Sequence, residues 1–198
     1  MMHKQLITCV LHGGETSRKS PYNDLFFKQF TELVDKKTIK ILMCYWSRDK
    51  SKWDELLKRD SEKVLKQTNK KVVFTLVGSV KDLYKQLADN DVLYVAGGDA
   101  ELIEPFLPNI KDLKKHLQGK VYIGSSMGAF IVSKHYVLSF DSQDSNSVHD
   151  GIGMIPINTL CHWDPETRKS QKISLLKKKT PNIPILTLDE CKHVTFVI

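Results

Sequence analysis

Short apolar runs alternate with amphipathic stretches along most of this chain. Gln5–Leu11, Ile39–Tyr45, Val72–Val77 and Val92–Val95 read as strands. Between them the apolar residues take up helical spacing. After Pro21-Tyr22-Asn23-Asp24, Leu25, Phe26, Phe30, Leu33 and Val34 form one stripe. Beyond a capping Ser51, Trp53, Leu56, Leu57 and Val64 form another. A third helix is predicted around Val80–Leu87, and a helical stretch within Ala100–Leu117 is interrupted at Pro108. Val121–Ile123 is a strand leading into a helix-compatible run, Ala129–Val132. Tyr136–Phe140, Ile183–Leu188 and Val194–Ile198 read as later strands, and Arg168–Lys178 as a helix. Continuously apolar strands alternating with helices predict an α/β fold: a mostly parallel central sheet with helices on both faces. Sites in such sheets form beyond the carboxyl ends of the strands. His12, Gly98 and Ser126 all follow predicted strand ends, so they are expected to converge on one edge.

A length of 198 residues with 41% apolar content suits a single domain over 1–198 with a sizeable core. No apolar run approaches the roughly 20 residues of a bilayer span, and the start of the chain lacks signal-peptide features. The expected location is the cytoplasm, with no membrane partner. Cys9, Cys44, Cys161 and Cys191 form no Cys-x-x-Cys pair; Cys9 and Cys44 lie in strand-like runs and read as buried, reduced core residues. No metal site is expected. The net charge of +7 is spread over helix faces, and the one run, Lys177-Lys178-Lys179, closes a helix, where its dipole favours cations. No basic motif with interleaved aromatics appears, so nucleic acid is not an expected partner. Gly13–Ser20 has a faint likeness to a phosphate loop, but the glycine required just before the lysine is absent.

The chemistry centres on Gly124-Ser125-Ser126-Met127-Gly128. Strand, sharp turn and helix around a Gly-x-Ser-x-Gly pattern can lift one serine into a cleft, and the frame selects Ser126 over Ser125. By itself the pentapeptide fits a plain turn equally well. A serine nucleophile needs a base, an acid to orient that base, and oxyanion donors. His162, where an apolar segment meets a polar loop, is the candidate base. Asp141 is the candidate acid, with Asp189 and Glu190 in reserve. The Met127 N–H follows the nucleophile at a helix start, and the Gly97-Gly98 turn offers Gly98 as second donor.

In order and spacing these motifs resemble the peptidase E (aspartyl dipeptidase) and cyanophycinase family of serine peptidases. Ala96-Gly97-Gly98-Asp99 matches the family's Gly-Gly-Asn-type turn, and Gly124–Ala129 its Gly-x-Ser-Ala-Gly elbow. Asp141 lies fifteen residues beyond Ser126, as the peptidase E acid lies beyond its nucleophile. Ile157-Asn158 and His162 resemble the family's histidine segment, and Glu166-Thr167-Arg168 its Glu-Thr-Arg stretch. The resemblance covers about residues 90–175, more weakly the flanking strands. It implies a fold like that of class I glutamine amidotransferases, a flavodoxin-like three-layer sandwich. It also implies peptidase activity on small peptides without cofactor or metal; the chain is expected as a monomer or a homodimer, a choice the sequence leaves open. Arg168 would pair with an acidic substrate side chain, an arginine fork suiting a carboxylate. Two positions depart from the family: Asp99 replaces asparagine and Met127 a small alanine. Asp99 could instead bind a substrate amine. The departures motivate a second reading, a glutaminase-like binding or regulatory module of the same fold without efficient catalysis.

Overall fold

The computed structural model describes residues 6–139, 142, 144–163 and 169–198. In chain order the elements are β1 (Thr8–His12), α1 (Pro21–Glu32), β2 (Thr38–Cys44), α2 (Trp53–Leu65), β3 (Lys71–Leu76), α3 (Val80–Ala88), β4 (Val92–Val95), α4 (Ala100–Ile103), α5 (Leu113–His116), β5 (Val121–Ser125), α6 (Met127–Val132), β6 (His135–Tyr136), β7 (His149–Asp150), β8 (Asn158–Leu160), α7 (Lys169–Lys179), β9 (Ile185–Thr187) and β10 (His193–Val197). The central sheet has the order β10-β1-β5-β4-β2-β3. Its strands are parallel except β10, which pairs antiparallel with β1. A small sheet, β7-β6-β8-β9, lies beside it. The fold is α/β with mostly parallel sheets and helices on both sides, as the apolar pattern predicts. No helix among the described residues is long and apolar enough to cross a membrane.

Two apolar clusters flank the central sheet. One joins Phe26, Phe27 and Phe30 of α1 and Leu56 and Val64 of α2 to Val10, Ile41, Tyr94 and Ile123. The other joins Leu83, Leu87 and Leu113 with Met127, Phe130 and Ile131 of α6 to Cys9, Leu42, Leu93 and Tyr122. Each fully buried phenylalanine here contributes roughly 2–3 kcal/mol. Cys9 and Cys44 are buried thiols, as expected.

Local differences from the sequence pattern have physical causes. The inward stripe of α1 runs through Phe27, while Leu25 is exposed. Ser51 does not cap α2: it sits in a 3-10 turn (Lys50–Lys52) whose own cap is Asp49. The stretch after α4 winds as a 3-10 helix, Glu104–Asn109, because Pro105 and Pro108 remove the donors an α-helix needs. Of the strand predicted over Tyr136–Phe140, β6 takes in only Tyr136, together with His135; Phe140 lies outside the described residues. The segment predicted as strand 183–188 contributes only β9, in the small sheet.

β1 ends in a buried polar group that shapes the edge of the sheet. His12 is 0% exposed. Its Nδ1 accepts from the Gly14 N–H (3.1 Å), so its Nε2–H donates to Asn23 Oδ1 (2.9 Å). The Asn23 amide then donates to the carbonyls of Glu15 (2.9 Å) and Arg18 (2.7 Å), fixing the loop after β1. Burial pushes the His12 pKa down to about 4, against a partial upward effect of the Asn23 bond. A depressed histidine lets the unfolded chain bind the extra proton, so stability is complete above pH 6.5 and is lost as pH falls toward 4. About 2 kcal/mol should disappear between pH 7 and pH 5 through this group. Urea denaturation at both pH values should show that loss in the wild type and a smaller one in His12→Gln; equal losses would contradict the assignment.

Candidate active site

Ser126 joins β5 to α6 in a strained conformation, φ 49° and ψ −107°. A non-glycine residue in such a region costs about 1–3 kcal/mol, and its surroundings must hold it there. They do so through the backbone. The Ser126 N–H donates to the His12 carbonyl (2.9 Å), and its own carbonyl accepts from Ala129 (2.8 Å) and Phe130 (2.9 Å). The two flanking glycines allow close packing: a Cβ on Gly124 would stand 2.4 Å from the Gly128 carbonyl oxygen, and one on Gly128 2.1 Å from that of Val95. Adjacent Ser125 is 2% exposed, and its Oγ lies 3.4 Å from His12 Nδ1. Ser126 Oγ faces a cavity and lies 3.0 Å from His162 Nε2.

Two residues beyond β8, His162 also takes positive φ (52°). Its N–H donates to the Gly13 carbonyl (2.8 Å), and its ring packs against Gly14, where any Cβ would come within 2.3 Å of Cε1. His162 Nδ1 lies 3.2 Å from Glu190 Oε1. With Nδ1–H donating to that carboxylate, Nε2 is left as the acceptor for the Ser126 hydroxyl; this tautomer is assigned from the partners. Cys191, at φ 63°, turns the chain after Glu190 and donates its N–H to the Gly14 carbonyl (3.0 Å). The other Glu190 oxygen, Oε2, pairs with Arg18 Nη2 at 2.7 Å.

The structure thus brings Ser126 and His162 together and sets Glu190 behind the histidine. Asp141 and Arg168 lie outside the described residues. Asp189 pairs with Lys192 (2.8 Å). Gly97 runs beside the nucleophile, where a Cβ would stand 2.8 Å from that of Ser126. Its turn is held by three bonds: Ser47 Oγ to the Ala96 carbonyl (2.9 Å), Arg48 Nε to the Gly97 carbonyl (2.6 Å), and the Asp99 N–H to the Ser47 carbonyl (2.8 Å). Met127 opens α6, so its N–H has no acceptor within the helix and is available to an anion. The Met127 residue is 1% exposed and its side chain packs in the core.

A cavity of about 740 Å³ opens over Ser126 and His162, with Gly98 and Met127 in its wall. Arg48 and Arg59 line it, as do Asp99, Glu101 and Glu104. Arg59 is neutralised by fully buried Asp60 at 2.8 Å, whereas Arg48 has no ion pair among the described residues. Glu15, His162 and Glu190 bring ligand atoms within 4.8 Å of one another. Arg18 lies against both of those carboxylates, at 3.9 Å and 2.7 Å, and already supplies the positive charge a cation would bring.

Sequence reasoning placed His12 at a strand end on the site edge, and it missed the parts played by Gly14, Arg18 and Arg48. Of these only Gly14 left a signal, as the second of two glycines closing a strand; the others act through contacts between residues distant in the chain.

By sequence, no curated protein matches the chain. Solved structures do resemble it. A peptidase from an acI-B1 Actinobacterium is 17% identical with a TM-score of 0.66, the match covering 98% of this chain and 84% of that one. A Listeria monocytogenes EGD-e protein described as a candidate peptidase E is 18% identical with a TM-score of 0.62, covering 98% and 97%. At such identities these likenesses establish the fold. The pattern of peptidase family S51 matches residues 9–197, nearly the whole chain including both the elbow and the histidine loop. The chain therefore belongs to peptidase family S51 and is a serine peptidase.

Proposed function

We propose that the enzyme hydrolyses short peptides through a Ser126–His162–Glu190 triad. The observation that carries this reading is the continuous hydrogen-bonded path from Ser126 Oγ through His162 to Glu190, at 3.0 Å and 3.2 Å. His162 takes the serine proton as Oγ attacks the scissile carbonyl, then passes it to the leaving amine. Glu190 holds the tautomer and stabilises the imidazolium. The N–H groups of Met127 and Gly98 receive the oxyanion. Water then attacks the acyl-enzyme with His162 again as base, which frees the acid product and restores Ser126. Glu190, the reserve acid of the sequence reading, takes the role given first to Asp141, because it is the carboxylate at His162 Nδ1 among the described residues.

The cavity has room for a few residues of peptide. A preference for acidic side chains is supported by Arg48, which enters the cavity wall without an ion pair among the described residues. Its anchored Nε leaves the rest of the fork for a carboxylate. Arg168, brought forward by the family resemblance, is the second candidate for that role.

Glu190→Gln should lower kcat by about 10²–10⁴-fold, since an amide no longer favours the productive tautomer. Asp141→Asn should stay within a few-fold of wild type. The reverse ranking in steady-state kinetics would return the acid role to Asp141. In a dipeptide library that includes Asp-Xaa and Asn-Xaa pairs, Arg48→Ala should raise KM for acidic members by roughly tenfold or more and leave neutral members unchanged. Equal changes for both classes would remove Arg48 from specificity. Selectivity lost only in Arg168→Ala would place the anchor there.

A further inference from the structure

The segment between β1 and α1 has no regular structure, and beyond the main-chain bonds of Gly13 and Gly14 it takes no part in the proposed chemistry, yet it is anchored from several directions. Asn23 of α1 holds the carbonyls of Glu15 and Arg18. Lys63 of α2 donates to the Thr16 carbonyl (2.6 Å), and the Cys191 thiol lies 3.7 Å from the Glu15 carbonyl. Within the loop the Arg18 N–H donates to Glu15 (3.1 Å). The anchors fix the backbone of a residue whose own side chain is 55% exposed. That side chain reaches across 172 positions of sequence to one carboxylate, that of Glu190.

We propose that Arg18 is a positioning residue for the catalytic carboxylate; the proposal rests on the Ser126–His162–Glu190 reading. Glu190 is 36% exposed, and its bond to His162 is 3.2 Å long. Alone, that bond leaves a flexible side chain free to rotate into water, since each ordered side chain must offset its rotamer entropy. Arg18 takes the second oxygen at 2.7 Å and leaves Oε1 directed at Nδ1. The loop whose glycines and lysine gave it a faint likeness to a phosphate site acts here as the arm that delivers this guanidinium.

Arg18 also sets the local charge. His162 is faced by Glu15 and Arg18 from the loop after β1, by His12 at the end of β1, and by Glu190 and Cys191 from the loop before β10, with the Asp189–Lys192 pair beside them. Removing the one arginine leaves Glu15 and Glu190 uncompensated. Two unbalanced carboxylates favour the imidazolium, the form that cannot take the Ser126 proton.

The test is the pH dependence of kcat and KM for wild type, Arg18→Gln and Arg18→Lys on one dipeptide, with Ser126→Ala as control and the melting temperature of each. Arg18→Gln should lower kcat roughly tenfold with KM nearly unchanged, as a misdirected orienting group does. Its acid limb should move to higher pH, and the displacement should shrink at high salt. Arg18→Lys should keep the wild-type limb, because the charge remains, and recover part of kcat. An Arg18→Gln profile superimposed on wild type would overturn the proposal, as would a change confined to KM or to melting temperature. Were Arg18→Gln not to fold, an Arg18→Lys enzyme with a displaced limb would overturn it equally. Activity that survives in Ser126→Ala would instead overturn the parent reading.

Discussion

The site depends on the main chain at Gly13 and Gly14. The carbonyl of Gly13 receives the His162 N–H, the carbonyl of Gly14 receives the Cys191 N–H, and the Gly13 N–H binds the Lys192 carbonyl. Three bonds from two residues therefore hold together the turn after β1, the loop carrying the histidine and the loop carrying the glutamate. His162 adds a steric requirement, because its ring occupies the space a side chain on Gly14 would fill. Side-chain placement within hydrogen-bond distance is the central demand of nucleophilic catalysis. Here backbone bonds between segments far apart in sequence meet it.

The strain in the site follows from the same arrangement. Glu15, Ser126, His162 and Cys191 are the described non-glycine residues with positive φ, and all four lie at the site or beside it. Each turns its chain sharply at a sheet edge where the strands have ended and no ladder bonds remain to fix direction. The free energy that holds them comes from the two cores beneath. α6, which presents the Met127 N–H, has all six of its residues buried. Strained backbone over a close-packed support is preorganised, and little reorganisation is left for the moment of reaction.

How much of this was legible in sequence depended on the range of the interactions. The parallel sheet was readable because Val92–Val95 and its partners carry apolar residues on both faces. The elbow was readable because glycine, serine and glycine must fall at fixed short spacing, and its frame points to Ser126, whose Oγ lies 3.0 Å from His162 Nε2, while the Ser125 Oγ lies 3.4 Å from His12 Nδ1. His162 could be nominated, yet its partner Glu190 lies 28 positions on, and spacing offered Asp141 first. Arg18 and Arg48 carry no local pattern, and His12 was marked only as a residue at a strand end. Their roles exist only once β1, β2 and β5 stand in one sheet. Ser51 was misread because a nearby aspartate, Asp49, caps the turn that Ser51 sits in.

The central claim is that the fold activates Ser126 alone. Its most direct test is reaction of the native enzyme with a fluorophosphonate at neutral pH, followed by mass spectrometry of the intact protein and its peptides. The account predicts one adduct per chain, mapped to Ser126, with neighbouring Ser125 unmodified. No adduct, or one on Ser125, would contradict it.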